Sequence, residues 1–353
     1  MKKIKPVLRF FFPVAGILSL IFLVPWTLVR LHLAPLPDTV QEQVNLAPKY
    51  NLDGIVVYVA QGNEPPQWYT AGWKDRDKKI LADSKAYFKI ASISKLYIAA
   101  AVAKLIAKGT LHPDSNLATY LPELKDRIAN STSITLRMLV QHRSGIPNFT
   151  DQDTYPWDSP PKTNTATLDY VLDKDADFEP DTDYAYSNTN YLLLGEILDR
   201  VLGYNHHRYI QENLIQPLGL RHTFSLFSDV DPDSVASGYF EGYPYDIKFN
   251  DFINPGGSMV ATASDVGTFV GALNKGTLLS PEEQEIYSGL YVYEHTGLVP
   301  GYESFASYDA ELDAVVVQFV NSSGGISWSV SEGIYNRIFK ILKSHKKAEQ
   351  SKK

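Results

Sequence analysis

The 353-residue chain contains no cysteine. That excludes a disulfide framework, thiolate metal sites, cysteine nucleophiles and the modified cysteine of bacterial lipoproteins. It does not fix the compartment, because a domain of this size buries enough surface to stand without staples. Glycine and proline, 22 and 21 residues, recur without a period, so collagen-like and low-complexity architectures are excluded as well. No internal repeat is present. Also missing are the G-x-S-x-G elbow, the H-E-x-x-H zinc helix and the P-loop, since GALNKGT at 271–277 has Thr277 where the lysine after the second glycine belongs. DVDPDS (229–234) begins like a calcium loop, then carries Ser234 where glycine is needed and Phe240 where a bidentate glutamate belongs. His206-His207 has no partner at metal-ligand spacing. The sequence therefore implies no metal and no cofactor.

Charge is present but unevenly placed. Residues 1–30 hold Lys2, Lys3, Lys5, Arg9 and Arg30 with no acid, and residues 340–353 hold six lysines against Glu349. The body between them carries 22 basic and 39 acidic residues. So acidic a body is a poor ligand for polyphosphate, which argues against nucleic acid as a partner.

Phe10 to Val29 is a run of 20 uncharged residues, enough to span a hydrocarbon core of about 30 Å. The basic excess lies before it, which predicts an inside N-terminus and an outside body. The expected organisation is a basic cytoplasmic N-terminus (1–9), a transmembrane anchor (10–29), a linker rich in proline (30–47), a folded domain (48–343) and a basic disordered tail (344–353). A cleaved signal peptide is the rival reading and would make the protein secreted.

Within the body, GIVVYVA (54–60) and QWYTAGW (67–73) read as strands, and KLYIAAAVAKLIAKG reads as a helix with Gly109 at its C-terminus. Helices are expected at 135–142, 190–202, 206–215 and 263–274, the last opened by a capping box between Thr262 and Asp265. Ser280-Pro281 opens another. Strand character returns at 290–295, 304–310 and 313–320, before a final helix over about 330–343 with apolar residues at 330, 334, 338, 341 and 342. Strands at both ends around a helical middle predict one sheet built from both ends of the domain, with an all-α subdomain inserted.

Three short motifs carry chemistry. Ser92-Ile93-Ser94-Lys95 is S-x-x-K at the mouth of the Ala-rich helix, where the dipole favours negative charge. A buried amine of lowered pKa, one turn from a serine, can serve as its base. The alternative is that Ser94 is an ordinary N-cap and Lys95 is exposed. Tyr186-Ser187-Asn188 offers a phenol whose pKa a neighbouring ammonium would lower, and an amide to hold lysine and substrate. His295-Thr296-Gly297 ends the strand LYVYEH. Its glycine would admit a substrate backbone, and the N–H of Leu298 could join that of Ser92 as an oxyanion hole.

The order S-x-x-K, Y-x-N, H-T-G at 92, 186 and 295 resembles the serine β-lactamase-like and penicillin-binding-protein family. Within it, the likeness is to the branch of class C β-lactamases, D-Ala-D-Ala carboxypeptidases, D-aminopeptidases and related esterases. QHRSGIP (141–147), YSNTNYLLLGEIL (186–198), PGGSMVATASDV (255–266) and HTGLVPGYESF (295–305) are similar to its connecting segments. The resemblance implies an α+β fold, an α/β/α sandwich with an antiparallel sheet. It implies Ser92 as nucleophile, Lys95 and Tyr186 as proton-transfer groups, and Asn188, His295, Thr296 and Gly297 as substrate-binding residues. The backbone N–H groups of Ser92 and Leu298 would form the oxyanion hole. One departure is that His295 stands where class C enzymes usually carry lysine, so the contact with a substrate carboxylate is weaker and depends on pH. The implied activity is hydrolysis through an acyl-serine on peptides containing D-amino acids or on wall precursors. An esterase or weak β-lactamase is the alternative within the family, and a non-hydrolytic penicillin-binding or sensing domain the alternative outside enzymes. Expected partners are a small-molecule or peptide substrate and, through the N-terminal segment, the membrane. The loops 150–180 and 228–254, which would shape the pocket, follow no rule that the sequence supplies.

Overall fold

β1 (Gly54–Gln61) is apolar at nearly every position, so both faces of its sheet must be covered. The computed structural model describes residues 24–351 and shows how. β1 pairs with β2 (Gln67–Asp75), which carries the short β3 (Ile80–Leu81). On its other side lie the C-terminal strands β4 (His295–Val299), β5 (Tyr302–Asp309) and β6 (Ala314–Val320). The order is β3-β2-β1-β6-β5-β4, antiparallel throughout, with β1 and β6 joined from Ile55↔Val320 to Gln61↔Ala314. The two ends of the chain thus build one sheet, and β4 is its outer edge.

Six longer helices cover it: α1 (Trp26–Leu33), α2 (Ser94–Ala107), α3 (Asn188–Leu202), α4 (Ala263–Asn274), α5 (Pro281–Ser288) and α6 (Ser327–Gln350). Val56 and Tyr58 face a core shared with α2, α3 and α4, while Ile55, Val57 and Val59 face α1 and α6. α2 is buried almost all round, as its alanine-rich composition demands. Its Lys104 pairs with Glu283 of α5 at 2.9 Å. Ser280 caps α5 as expected, with Pro281 at its first position, and the structure adds a capping box through reciprocal bonds to Glu283.

Several expectations need correction. The proposed linker is folded: α1 lies along α6, and Val40–Val44 forms a further short helix with its own capping box. Arg337 of α6 makes this possible. Its buried guanidinium donates to the carbonyls of Leu31 (3.2 Å), Ala34 (3.0 Å) and Pro35 (2.6 Å), satisfying the end of α1. Gly333 allows the close approach, since a Cβ there would stand 2.7 Å from Leu31. α1 therefore takes Trp26–Val29 out of the run assigned to the anchor. The rest of that run, up to residue 23, lies outside the described residues. Among those described, no helix is long and apolar enough to cross a membrane. The basic tail is not disordered up to Gln350, because α6 continues through it.

The strand expected at 290–295 is displaced, and strand pairing begins only at His295. The alternating tyrosines imitate a strand but pack as rings, Tyr293 on Tyr287 and Tyr291 on Tyr191. The carbonyls of Val292 and Tyr293 accept from the Tyr287 hydroxyl and the Asn274 amide instead of a neighbouring strand. At α4, Thr262 caps as expected. The Asp265 carboxylate, however, accepts from the His222 N–H and the Thr223 hydroxyl rather than closing a box.

Candidate active site

Ser92 sits in a single 3-10 turn, Ala91–Ile93, between the strand Phe88–Lys89 and α2. Ala91 has φ +49°, a left-handed conformation that costs a non-glycine residue about 1–3 kcal/mol. The surroundings hold it there. The Ser94 hydroxyl donates to Ala91 O (2.6 Å) and accepts from Met259 N–H (3.3 Å), while the Ser304 hydroxyl donates to Ile90 O (2.9 Å). Ser94 is thus a clamp on the turn rather than the N-cap of the alternative reading. Gly297 of β4 abuts the same turn, and a Cβ there would stand 2.3 Å from Ile90 O. This contact sets the sheet edge beside the nucleophile, with Leu298 next along the strand.

Lys95 is fully buried, and its Nζ is fully engaged: Ser92 Oγ at 3.1 Å, Asn188 Oδ1 at 2.8 Å and Gly256 O at 2.9 Å. Desolvation pushes its pKa down to about 7. Gly256, at φ +79°, is needed here, because a Cβ would lie 2.8 Å from Tyr191 Cβ and 3.0 Å from Lys95 Cγ.

The Tyr186 hydroxyl donates to Ser92 Oγ at 2.8 Å. Burial raises its pKa, against the lowering expected from a neighbouring ammonium, with the Ser92 bond a smaller opposing influence. The phenol is therefore protonated at neutral pH. Lys95 does lie 5.0 Å from its ring centroid, but on the face of the ring.

Asn188 is held from the inserted helical region: its N–H donates to Asn148 Oδ1 (3.0 Å) and its amide to Thr150 Oγ1 (3.2 Å). His295 departs from expectation. Its ring nitrogens are bonded to the Tyr291 hydroxyl (2.8 Å) and to Thr296 O, and burial followed by the nearby Lys95 lowers its pKa to about 4. It is neutral at physiological pH and offers no fixed charge.

Sequence reasoning missed His142. Its ring packs against Tyr186 with centroids 4.4 Å apart and planes tilted by 32°, and its Nδ1 accepts the Ser187 N–H at 3.2 Å. Burial, Lys95 and His295 hold its pKa near about 3, so it backs the tyrosine as a neutral ring. Only its place in QHRSGIP hinted at a role.

Two spaces meet at this site. One, of about 700 Å³, contains Ser92, Tyr186 and Asn188 and is walled by Trp157, Tyr243, Ile247 and Trp328. The other, of about 930 Å³, lies beyond Tyr186 and His295 and is more polar, reaching Glu294, Ser307 and Lys343. The loops that sequence could not read supply part of the apolar wall, through Trp157, Phe240, Tyr243 and Ile247. Among the described residues no cluster of three or more His, Asp or Glu could hold a metal ion. His206 is instead tied to Asp199 through Nδ1 at 2.7 Å.

Known proteins resemble this chain in sequence and in fold. Penicillin-binding protein 4* of Bacillus subtilis (strain 168) is 26% identical over 229 residues, which is 64% of this chain and 48% of that protein. The chain therefore spans about half the length of that relative. The structure of D-amino acid amidase from Ochrobactrum anthropi SV3, complexed with L-phenylalanine amide, superposes with a TM-score of 0.77 at 22% identity, covering 87% of this chain and 98% of that one. A class C beta lactamase superposes at 0.66 and 19% identity, over 86% and 98% of the two chains. Residues 36–291, well over half of the chain, match the family described as Beta-lactamase, and the chain belongs to that family.

Proposed function

We propose that the protein is a serine hydrolase acting through an acyl-Ser92 intermediate on amides or peptides that contain D-amino acids, wall precursors among them. The observation that carries this is the convergence of two proton-transfer groups on one hydroxyl: Lys95 Nζ at 3.1 Å and Tyr186 Oη at 2.8 Å from Ser92 Oγ.

The roles follow from the charge states. A neutral Lys95 keeps two N–H bonds, to Asn188 and Gly256, and turns its lone pair to Ser92, so it takes the serine proton. Tyr186, protonated, bonds the same oxygen and passes its proton to the leaving group, and the proton that Lys95 took from Ser92 then restores the phenol. The N–H groups of Ser92 and Leu298 receive the oxyanion. His295 and Thr296 bind the leaving side by neutral hydrogen bonds, and Gly297 admits the substrate backbone to the strand edge. The apolar space receives the acyl part. The D-amino acid class is supported by the amidase of similar fold and the penicillin-binding relative.

The apolar N-terminal run preceded by Lys2, Lys3, Lys5 and Arg9 supports a body held or exported outside the cytoplasm. Because α1 takes the last four residues of that run, Phe10–Pro25 is the uncharged stretch left to enter a membrane.

Intact mass of the full chain after incubation with a penicillin, beside Ser92→Ala, tests the acyl-serine. An adduct that disappears in the variant is expected. An adduct that persists there overturns the assignment. Absence of both adduct and drug consumption turns the test to D-amino amides, where turnover by wild type and none by Ser92→Ala is expected.

A further inference from the structure

A second buried lysine stands three residues before the nucleophile. Lys89 closes the strand Phe88–Lys89, which pairs with Val260–Ala261. Only 4% of it is exposed, and both of its hydrogen bonds go to backbone carbonyls, Lys248 O and Asn250 O, each at 2.6 Å. Aromatic rings complete its surroundings, with the Phe227 centroid 4.6 Å from Nζ. Asp246 and Asp251 lie close enough to favour its charge and Lys162 to oppose it, while burial outweighs all three and brings the pKa down to about 7. An ammonium has three N–H and an amine two, so either form can hold both carbonyls.

Those carbonyls belong to a segment with almost no secondary structure, residues 241–252, whose Tyr243, Ile247 and Asn250 line the apolar space. Its middle is tied by Asp246, which accepts from Gly238 N–H (2.8 Å) and Lys248 N–H (2.9 Å). Toward its far end, Lys89 makes the attachment to the strand that leads to Ser92.

We propose that Lys89 is a positioning residue that sets acyl-group specificity. It references the 247–250 wall and the nucleophile to one rigid strand, and so fixes how large an apolar or aromatic acyl group fits between them. This rests on Ser92 being the nucleophile, as proposed above.

The test compares full-length wild type with Lys89→Met, which keeps length and loses the donors. The substrates are p-nitrophenyl acetate and p-nitrophenyl phenylacetate, which share a leaving group. The ratio of kcat/KM for phenylacetyl over acetyl is expected to fall about ten-fold, mostly through KM, with acetyl changed by less than about three-fold. Equal losses on both esters would reduce Lys89 to a structural lysine, and unchanged values would remove it altogether. Ser92→Ala in the same assay reports separately on the active-site reading. Should that variant keep full turnover, amide exchange decides about the pin alone. Faster exchange confined to 243–252 in Lys89→Met supports it, and unchanged exchange overturns it.

Discussion

Lys89 and Lys95 flank the nucleophile, and desolvation brings both to a pKa of about 7. Their partners differ. Lys89 bonds two carbonyls that can only accept. Lys95 bonds one carbonyl, one amide oxygen and a hydroxyl that can give up its proton. A lowered pKa is thus a property of burial, and chemistry requires in addition a neighbour with a proton to lose. Glu303 adds a third case. Burial raises its pKa to about 7 on the sheet face covered by α6, with the Ser327 and Ser331 hydroxyls as smaller opposing influences.

The sharpest way to break the comparison is to remove the reactive lysine. Lys95→Met should lower kcat by about 10⁴ with folding retained, as single-turnover acylation would show. A loss no larger than that of Lys89→Met would put the two lysines on one footing. Tyr186→Phe should slow the same step by about 10²–10⁴, and an unchanged rate would take the phenol out of proton transfer.

Glu303 gives an effect on stability instead. Its folded pKa lies above the value of 4.5 for an unperturbed glutamate, so the unfolded chain loses this proton first. Its contribution is fully present below about pH 4.5 and is lost as pH rises through about 7. Glu303→Gln should therefore gain about 2–3 kcal/mol at pH 8 and almost nothing at pH 4, measured by denaturant unfolding. Equal effects at both pH values would mean that the carboxyl finds a partner when ionised.

The smallest expected effect is the pH profile. Lys95 accepts a proton only when neutral, so kcat/KM should rise about ten-fold per unit below pH 7 and level off above it. His295 and His142, at about 4 and about 3, are already neutral across that window and leave it uncluttered. A rate that still climbs ten-fold per unit above pH 10 would assign the base to Tyr186, whose pKa burial raises.

Much of the architecture was legible beforehand. Alternating and continuous apolar runs marked β1, β5 and β6, and Ser280-Pro281 marked the start of α5. Errors came where a local pattern had a competing tertiary use. Tyr291 and Tyr293 alternate like a strand, yet their rings pack between helices. Pro35 and Pro37 suggested a spacer, yet a guanidinium more than 300 residues away in sequence satisfies the carbonyls around them. His142 carried no signal of its own because its part is to be a neutral surface under another ring.

The sequence by itself determined which residue types are available for chemistry, their order along the chain, and the absence of any thiol. Those depend on composition and on short-range spacing, as between Ser92 and Lys95 on one turn. Tertiary structure alone decided the protonation states of Lys95, Tyr186 and His295, the wall of the apolar space, and the difference between Lys89 and Lys95. Each of these depends on desolvation and on partners from distant segments. A lysine's solvation is invisible until the chain has closed around it.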